Sequence, residues 1–242
     1  MKQAGTIDAV VLAGGLGTRL RSEIGLTQKT MAAIGDRPFL FLILALLRRQ
    51  GFRRIILCTG YQAQAVEEYF SRESLGVDIV FSREETPLGT GGAFKKAAGL
   101  IQSDPFLLLN GDSLCDMDFG ALLDFHVRKE ALATLTLSAV PPREDAGSVV
   151  VNPLGIIMDF REKFSGDVRL PEGHRVYVNA GVYCLNRKVF SLLPPQEKFS
   201  LEKDLFPALL TAPLWGFIIQ TGFMDIGTPQ RYAEARKYFK SF

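Results

Sequence analysis

The run IDAVVL at 7–12 ends abruptly at Ala13-Gly14-Gly15, and this junction constrains the fold more than any other stretch of the chain. An extended segment that is apolar on both sides needs cover on both faces, as a central strand of a parallel sheet has. The glycines that stop it let the chain turn sharply and bring backbone N–H groups close to an anion. The same rhythm then repeats. Pro38 leads an apolar stretch closed by Gly51, followed by RRIILCTG, QAQAVEEYF, VDIVFS, a helix over about 92–100, and an apolar run at 105–109 that stops at Asn110-Gly111-Asp112. Four strands alternating with three helices within 112 residues predict an α/β fold with right-handed crossovers. Ligands of such sheets sit beyond the carboxyl ends of the strands, where both glycine-bearing turns lie.

After residue 118 the pattern changes. A helix to about 129 is followed by ALATLTLSAV and by shorter strands around 148–151, 156–160 and 175–185. A helix near 201–210 with Ser200 at its N-cap, a strand near 214–220 and a helix from Pro229 complete the chain. The expectation is one domain over 1–242. In it, a doubly wound, mostly parallel Rossmann-like sheet occupies about 1–130, and a smaller α+β addition occupies about 131–242.

Composition narrows the partners. Lys+Arg 28 against Asp+Glu 26 leaves a net charge of +2, too little to coat nucleic acid. The longest apolar run, 39–47, falls well short of the roughly 20 residues that span a bilayer, so no membrane partner is expected. Cys58, Cys115 and Cys184 form no CxxC pair, which argues against a disulfide framework or a zinc site. The residues before the first strand hold no long apolar region, so secretion is not expected, and reduced thiols in a cytoplasmic protein fit this pattern.

The loop from Leu12 and Ala13 through Gly14, Gly15, Gly17 and Thr18 to Arg19 and Leu20 is a candidate phosphate cradle, with Arg19 and Lys29 as cations suited to a polyphosphate. Leu20 departs from the dinucleotide fingerprint, which argues against a dehydrogenase, and the P-loop's Gly-Lys-Ser/Thr is absent. Asp112 ends a strand expected beside the first one, where a carboxylate either holds Mg²⁺ against a triphosphate or closes an Asx turn. Asp118 reads as a helix N-cap, and His126 and His174 as satisfied or surface histidines.

Six motifs in order resemble the sugar-1-phosphate nucleotidyltransferases: LAGGLGTRL with Lys29-Thr30-Met31, PLGTGGA at 87–93, LNGDS at 109–113, FREK at 160–163, VNAGVY at 178–183 and FMDIGTP at 223–229. The resemblance implies Mg²⁺ held by Asp112 and Asp225, phosphates met by Arg19 and Lys29, and a base turn at Leu88, Gly89, Gly91 and Gly92. It also implies a sugar phosphate held by Gly147, Glu162, Lys163 and Asn179, with Glu202 nearby. The family's Pro-Lys-Pro-Met reads Gln28-Lys29-Thr30-Met31 here, which keeps the cation and loses both stiffening prolines. Glu84 or Glu85 either reads guanine or belongs to a solvated acidic turn. The GDS variant and SLEKDLFP at 200–207 most resemble the branch that transfers a guanylyl group from GTP to a manno-heptose 1-phosphate. Alternatives are a uridylyltransferase or related enzyme acting on N-acetylmuramate 1-phosphate or a hexose 1-phosphate, and a regulatory module without turnover. A sugar phosphate is itself an ionised nucleophile, so the reaction needs no His or Cys.

Overall fold

A computed structural model describes residues 4–141, 147–161, 170–220 and 223–239. Its first half alternates β1 (Asp8–Ala13), α1 (Phe39–Arg49), β2 (Arg54–Thr59), α2 (Ala63–Arg72), β3 (Asp78–Arg83), α3 (Gly89–Ala97) and β4 (Phe106–Asn110). These strands pair in parallel in the order β3-β2-β1-β4, so the first strand is central and the strand leading to Asp112 lies beside it, as expected. After α4 (Phe119–Arg128) come β5 (Ala133–Ser138), β6 (Ser148–Val151), β7 (Ile157–Arg161), β8 (Arg175–Leu185), β9 (Trp215–Ile219) and α5 (Pro229–Phe239). The addition continues the same sheet. The end of β8 lies antiparallel to β4, its beginning pairs with β6, β5 follows its other edge, and β9 pairs with β5, so that among the described residues this sheet has nine strands.

Sequence periodicity accounts for the layers. Helix α1 buries Phe39, Leu40, Ile43, Leu44 and Leu47 along one stripe, each side chain contributing about 1.5–3 kcal/mol of transfer energy. Strands β1 and β4 are apolar on both faces because separate cores lie above and below them. Asp118 caps α4, accepting from Ala121 N at 3.0 Å, as anticipated. Cys58, Cys115 and Cys184 are buried and form no disulfide among the described residues, and burial pushes the thiols of Cys58 and Cys115 up to about 12. His126 is buried with Nδ1 2.9 Å from Thr134 Oγ1. Among the described residues no helix is long and apolar enough to cross a membrane.

Two expectations change. The helix anticipated over 201–210 is a wide turn at Leu201–Leu205 followed by short helical pieces, because Pro207 has no N–H with which to continue a regular ladder. The α3 helix starts earlier, at Gly89, and tightens over Ala98–Leu100. Short local pairings also appear that have no periodic signature, including Ser113–Leu114 against Met224–Asp225.

The foot of the central strands is latched by buried Asp8. Its Oδ1 accepts from Arg54 Nη1 at 2.9 Å, its Oδ2 accepts from the backbone of Gln102 and of Ser103, and Asp8 N donates to Ser103 Oγ at 2.8 Å. This ties β1, β2 and the approach to β4 together, and so holds their upper ends in line. Asp8→Ala leaves these donors unmet and is expected to cost about 2–3 kcal/mol in urea unfolding, against a change within about 0.5 kcal/mol for exposed Leu154→Ala. A loss as small as that control's would show that the latch carries no stability.

Candidate active site

The β1–β4 pairing sets Leu12 opposite Asn110, and Gly111 N donates to Leu12 O at 2.9 Å. The glycine loop and the Asn110-Gly111-Asp112 turn therefore flank one cavity of about 310 Å³, lined by Leu12, Gly14, Gly15, Lys29, Glu84 and Asp112 among others. Lys29 is 9% exposed, and its ammonium pairs with Asp112 Oδ2. Burial raises the Asp112 carboxyl, but the Lys29 charge and its hydrogen bond, with a further one from Ser113 Oγ, outweigh this and hold it below the ordinary value. Gly17 adopts φ +58°, and a Cβ there would lie 2.6 Å from Lys29 Cβ, so the close passage of loop over lysine needs a glycine.

The two missing prolines are replaced by a hydrogen-bonded turn. Gln28 is 1% exposed; its Oε1 accepts from Thr30 N at 2.7 Å, Thr30 Oγ1 at 2.6 Å and Met31 N at 3.1 Å, while its Nε2 donates to Ala13 O. The amide thus ties the Lys29 turn to the end of β1. The backbone N–H of Gln28 donates to Gln62 Oε1 at 3.1 Å, a second anchor on the residue that precedes α2.

Glu84 and Glu85 separate cleanly. Glu85 is exposed, whereas Glu84 is 9% exposed and lies in the cavity wall, its Oε2 accepting from Leu88 N at 3.2 Å. A Cβ on Gly14 or Gly60 would come within 2.8 or 2.5 Å of Glu84 Oε1, so both glycines make room for this carboxylate. Burial raises its pKa, opposed by the Leu88 N–H and the Lys96 charge.

The remaining sequence candidates are distributed unevenly. Gly89 lines the cavity, but Leu88, Gly91 and Gly92 do not: Gly91 N and Gly92 N donate to Phe199 O, and their α-carbons pack against Phe199 and Glu197. Their small size serves the docking of the 197–200 segment, a role indistinguishable in sequence from approach to a base. Ala13 is buried beneath the loop, while Thr18 and Arg19 are exposed on a short turn at its rim. Asp225 comes beside Asp112 through the short strand pair, with Ile226 N donating to Asp112 O at 3.1 Å. Its Oδ1 accepts from Arg231 Nη1 at 2.6 Å and Gly227 N at 2.8 Å, partners the sequence did not signal.

A second cavity of about 310 Å³ is lined by Gly147, Asn179, Glu202 and Lys203 among others. Asn179 N donates to Gly147 O at 3.0 Å, and the Asn179 side chain braces the irregularity of β8, accepting from Gly181 N and donating to Tyr183 OH, both at 3.0 Å. Glu162 and Lys163 lie outside the described residues. Sequence reasoning missed Thr90 and Asn110, which line the first cavity; the buried Asn110 Oδ1 has no hydrogen-bond partner among the described residues, a signal only the tertiary structure supplies. A larger cavity of about 590 Å³, near the tip of the β6–β7 hairpin, contains none of the candidates.

A glycine loop and an acidic turn at adjacent strand ends, with a lysine between them and a second cavity in the addition, define an enzyme of nucleotidyl transfer. Residues 8–241 match the nucleotidyl transferase family, and the chain belongs to it, as a nucleotidyltransferase acting on sugar 1-phosphates. Among its relatives, the D-glycero-alpha-D-manno-heptose 1-phosphate guanylyltransferase of Aneurinibacillus thermoaerophilus is 37% identical over 98% of this chain and 100% of its own length. The mannose-1-phosphate guanylyltransferase of Mycobacterium tuberculosis is 34% identical over 93% of this chain and 62% of its own. The crystal structure of HddC from Yersinia pseudotuberculosis complexed with GMP-PN is 32% identical with a TM-score of 0.83, covering 96% of this chain and 99% of that one.

Gln28→Ala removes the anchor of the Lys29 turn while leaving Lys29 and Asp112 in place. It is expected to lower kcat/KM at least tenfold and stability by about 1–3 kcal/mol, measured by pyrophosphate release and urea unfolding. Wild-type turnover in Gln28→Ala would show that Lys29 needs no such support.

Proposed function

We propose that the chain transfers a guanylyl group from GTP to D-glycero-α-D-manno-heptose 1-phosphate in the presence of Mg²⁺, releasing pyrophosphate. The observation that carries the nucleotide choice is the buried Glu84 carboxylate in the wall of the glycine-loop cavity. Guanine presents adjacent N1–H and N2–H donors, which two carboxylate oxygens match; adenine, cytosine and uracil have no such pair of adjacent donors. The sugar choice is supported by identity over the whole length of a heptose-specific relative, and mannose 1-phosphate is the second reading, favoured by the 34% identical mannose enzyme.

In this reading about 1–130 serve the nucleotide and about 131–242 the sugar. A phosphate oxygen of the sugar phosphate attacks the α-phosphorus, a new P–O bond forms, and the bond to the β-phosphate oxygen breaks. The attacking phosphate is largely ionised near neutral pH, since its second pKa is about 6, so orientation and charge neutralisation carry the catalysis. The glycine-loop N–H groups and Arg19 receive the phosphates, while Gly147, Asn179, Glu162 and Lys163 receive the sugar phosphate.

Asp112 and Asp225 would hold Mg²⁺, which supplies charge neutralisation at the phosphates. Hard oxygen donors, one on the residue before Ser113–Leu114 and one on the strand paired with it, suit an ion that takes one or two carboxylates and fills its shell with phosphate oxygens and waters. Arg231 and Gly227 keep Asp225 oriented for this task. Lys29 and Asp112 form a neutral pair that can exchange partners with an equally compensated nucleotide and cation, so that no buried charge is left unpaired.

Pyrophosphate release measured for five nucleoside triphosphates against a panel of sugar 1-phosphates should be highest with GTP and the manno-heptose 1-phosphate. A preference for UTP would overturn the base assignment. Asp112→Asn should abolish turnover without unfolding the protein. Glu84→Gln should lower kcat/KM for GTP about 10–100-fold, the worth of a charge-assisted hydrogen bond. Guanine needs the ionised Glu84, whose pKa is raised, so the KM for GTP should climb as pH falls through a value above the ordinary glutamate range. A flat profile in the wild type, or an unaltered one in Glu84→Gln, would remove Glu84 from base recognition.

A further inference from the structure

The two cavities share no lining residue, yet a continuous set of partly buried polar contacts joins them. Thr90 stands in the wall of the nucleotide cavity, in the first turn of α3. Its hydroxyl faces the other way, accepting from Leu201 N at 2.9 Å and donating to Glu202 Oε2 at 3.0 Å. Ser200 Oγ donates to the same oxygen at 2.9 Å. The other oxygen, Oε1, lies 3.5 Å from the hydroxyl of buried Tyr183, a long contact, and Tyr183 in turn accepts from Asn179 Nδ2 at 3.0 Å. Glu202 and Asn179 both line the sugar cavity.

A carboxylate has about four lone-pair sites. Two hydroxyl donors converge on Oε2, which fixes the rotation of the group, while Oε1, with one long contact, keeps acceptor capacity in a residue that lines the sugar cavity. A sugar presents hydroxyls as donors, and an acceptor held in one orientation binds them without first losing rotamer entropy. Backbone contacts reinforce the arrangement: Phe199 N donates to Leu88 O at 3.1 Å and Gly91 N to Phe199 O at 3.0 Å, so the segment carrying Glu202 is docked on the segment carrying Thr90.

We propose that Thr90, although it belongs to the nucleotide cavity, is a positioning residue for the sugar 1-phosphate, orienting Glu202 as the acceptor of a sugar hydroxyl. This rests on the reading of the two cavities given above. Thr90→Val keeps the shape of the side chain, removes both hydrogen bonds and leaves the glycine loop, Lys29 and Asp112 untouched. The KM for the sugar phosphate should rise about tenfold while that for GTP stays within about twofold, and Thr90→Ser should restore the wild-type value. Glu202→Gln should reproduce the sugar-phosphate effect, and Thr90→Val combined with it should add little, since the two act as one unit.

Steady-state kinetics with manno-heptose 1-phosphate and mannose 1-phosphate in parallel, together with calorimetric binding of each, read out these expectations. Equal rises in both KM values, no rise in either, or failure of serine to rescue would overturn the proposal. Wild-type protein that binds a sugar phosphate but releases no pyrophosphate from GTP would sink the guanylyltransferase reading; weaker sugar-phosphate binding by Thr90→Val in that case would still support the role of Thr90. A wild type that binds neither sugar phosphate would overturn both.

Discussion

The parallel pairing of β1 with β4 is the constraint on which the rest of the molecule depends. It sets Leu12 against Asn110 and thereby brings a glycine loop and an acidic turn, nearly one hundred residues apart in sequence, to the same edge of the sheet. The Asp8 latch at the opposite end of these strands holds them in line. Parallel strands with cores on both faces leave little freedom to slip, because a shift of one residue would turn each side chain to the wrong layer.

At the cavity, charge is managed by pairing. The Lys29 ammonium and the Asp112 carboxylate compensate each other in a partly enclosed place, and the lysine owes its position to a buried glutamine amide. A ring-constrained turn achieves rigidity by limiting backbone angles. Gln28 achieves it by satisfying three donors and one carbonyl at once. The two devices reach the same end through different physics, and a motif that looks degraded in sequence is intact as geometry.

The second half of the sheet is less a separate domain than a continuation in which only β8 and β7 run against β1–β4. Its long strand β8 lies against β4, and the irregularity at Asn179 and Gly181 turns a polar side chain toward the hydroxyl of Tyr183. The segment around Phe199 closes the gap between halves by packing on Gly91 and Gly92. The glycines of PLGTGGA are divided only in part: a Cβ on any of the three would collide with the 197–199 segment, and Gly89 lines the glycine-loop cavity as well.

The alternation of apolar strands with amphipathic helices, the identity of the glycine loop, and the residues Lys29 and Asp112 were all determined by the sequence itself, because each rests on local periodicity or on a short run of residue types. The sequence left Glu84 and Glu85 equivalent; only the packing of Gly14 and Gly60 around one of them decided which carboxylate enters the cavity. It also gave no sign that Asp225 would be held by Arg231, that Gln28 would stand in for proline, or that the hydroxyl of Thr90 would turn away from the nucleotide side. Apart from the turn that Gln28 closes on Thr30, those are contacts between groups on different elements. They exist only once long-range pairing has set the distances, and hydrogen bonds and ion pairs fall off too steeply with distance and angle to be read from composition or spacing.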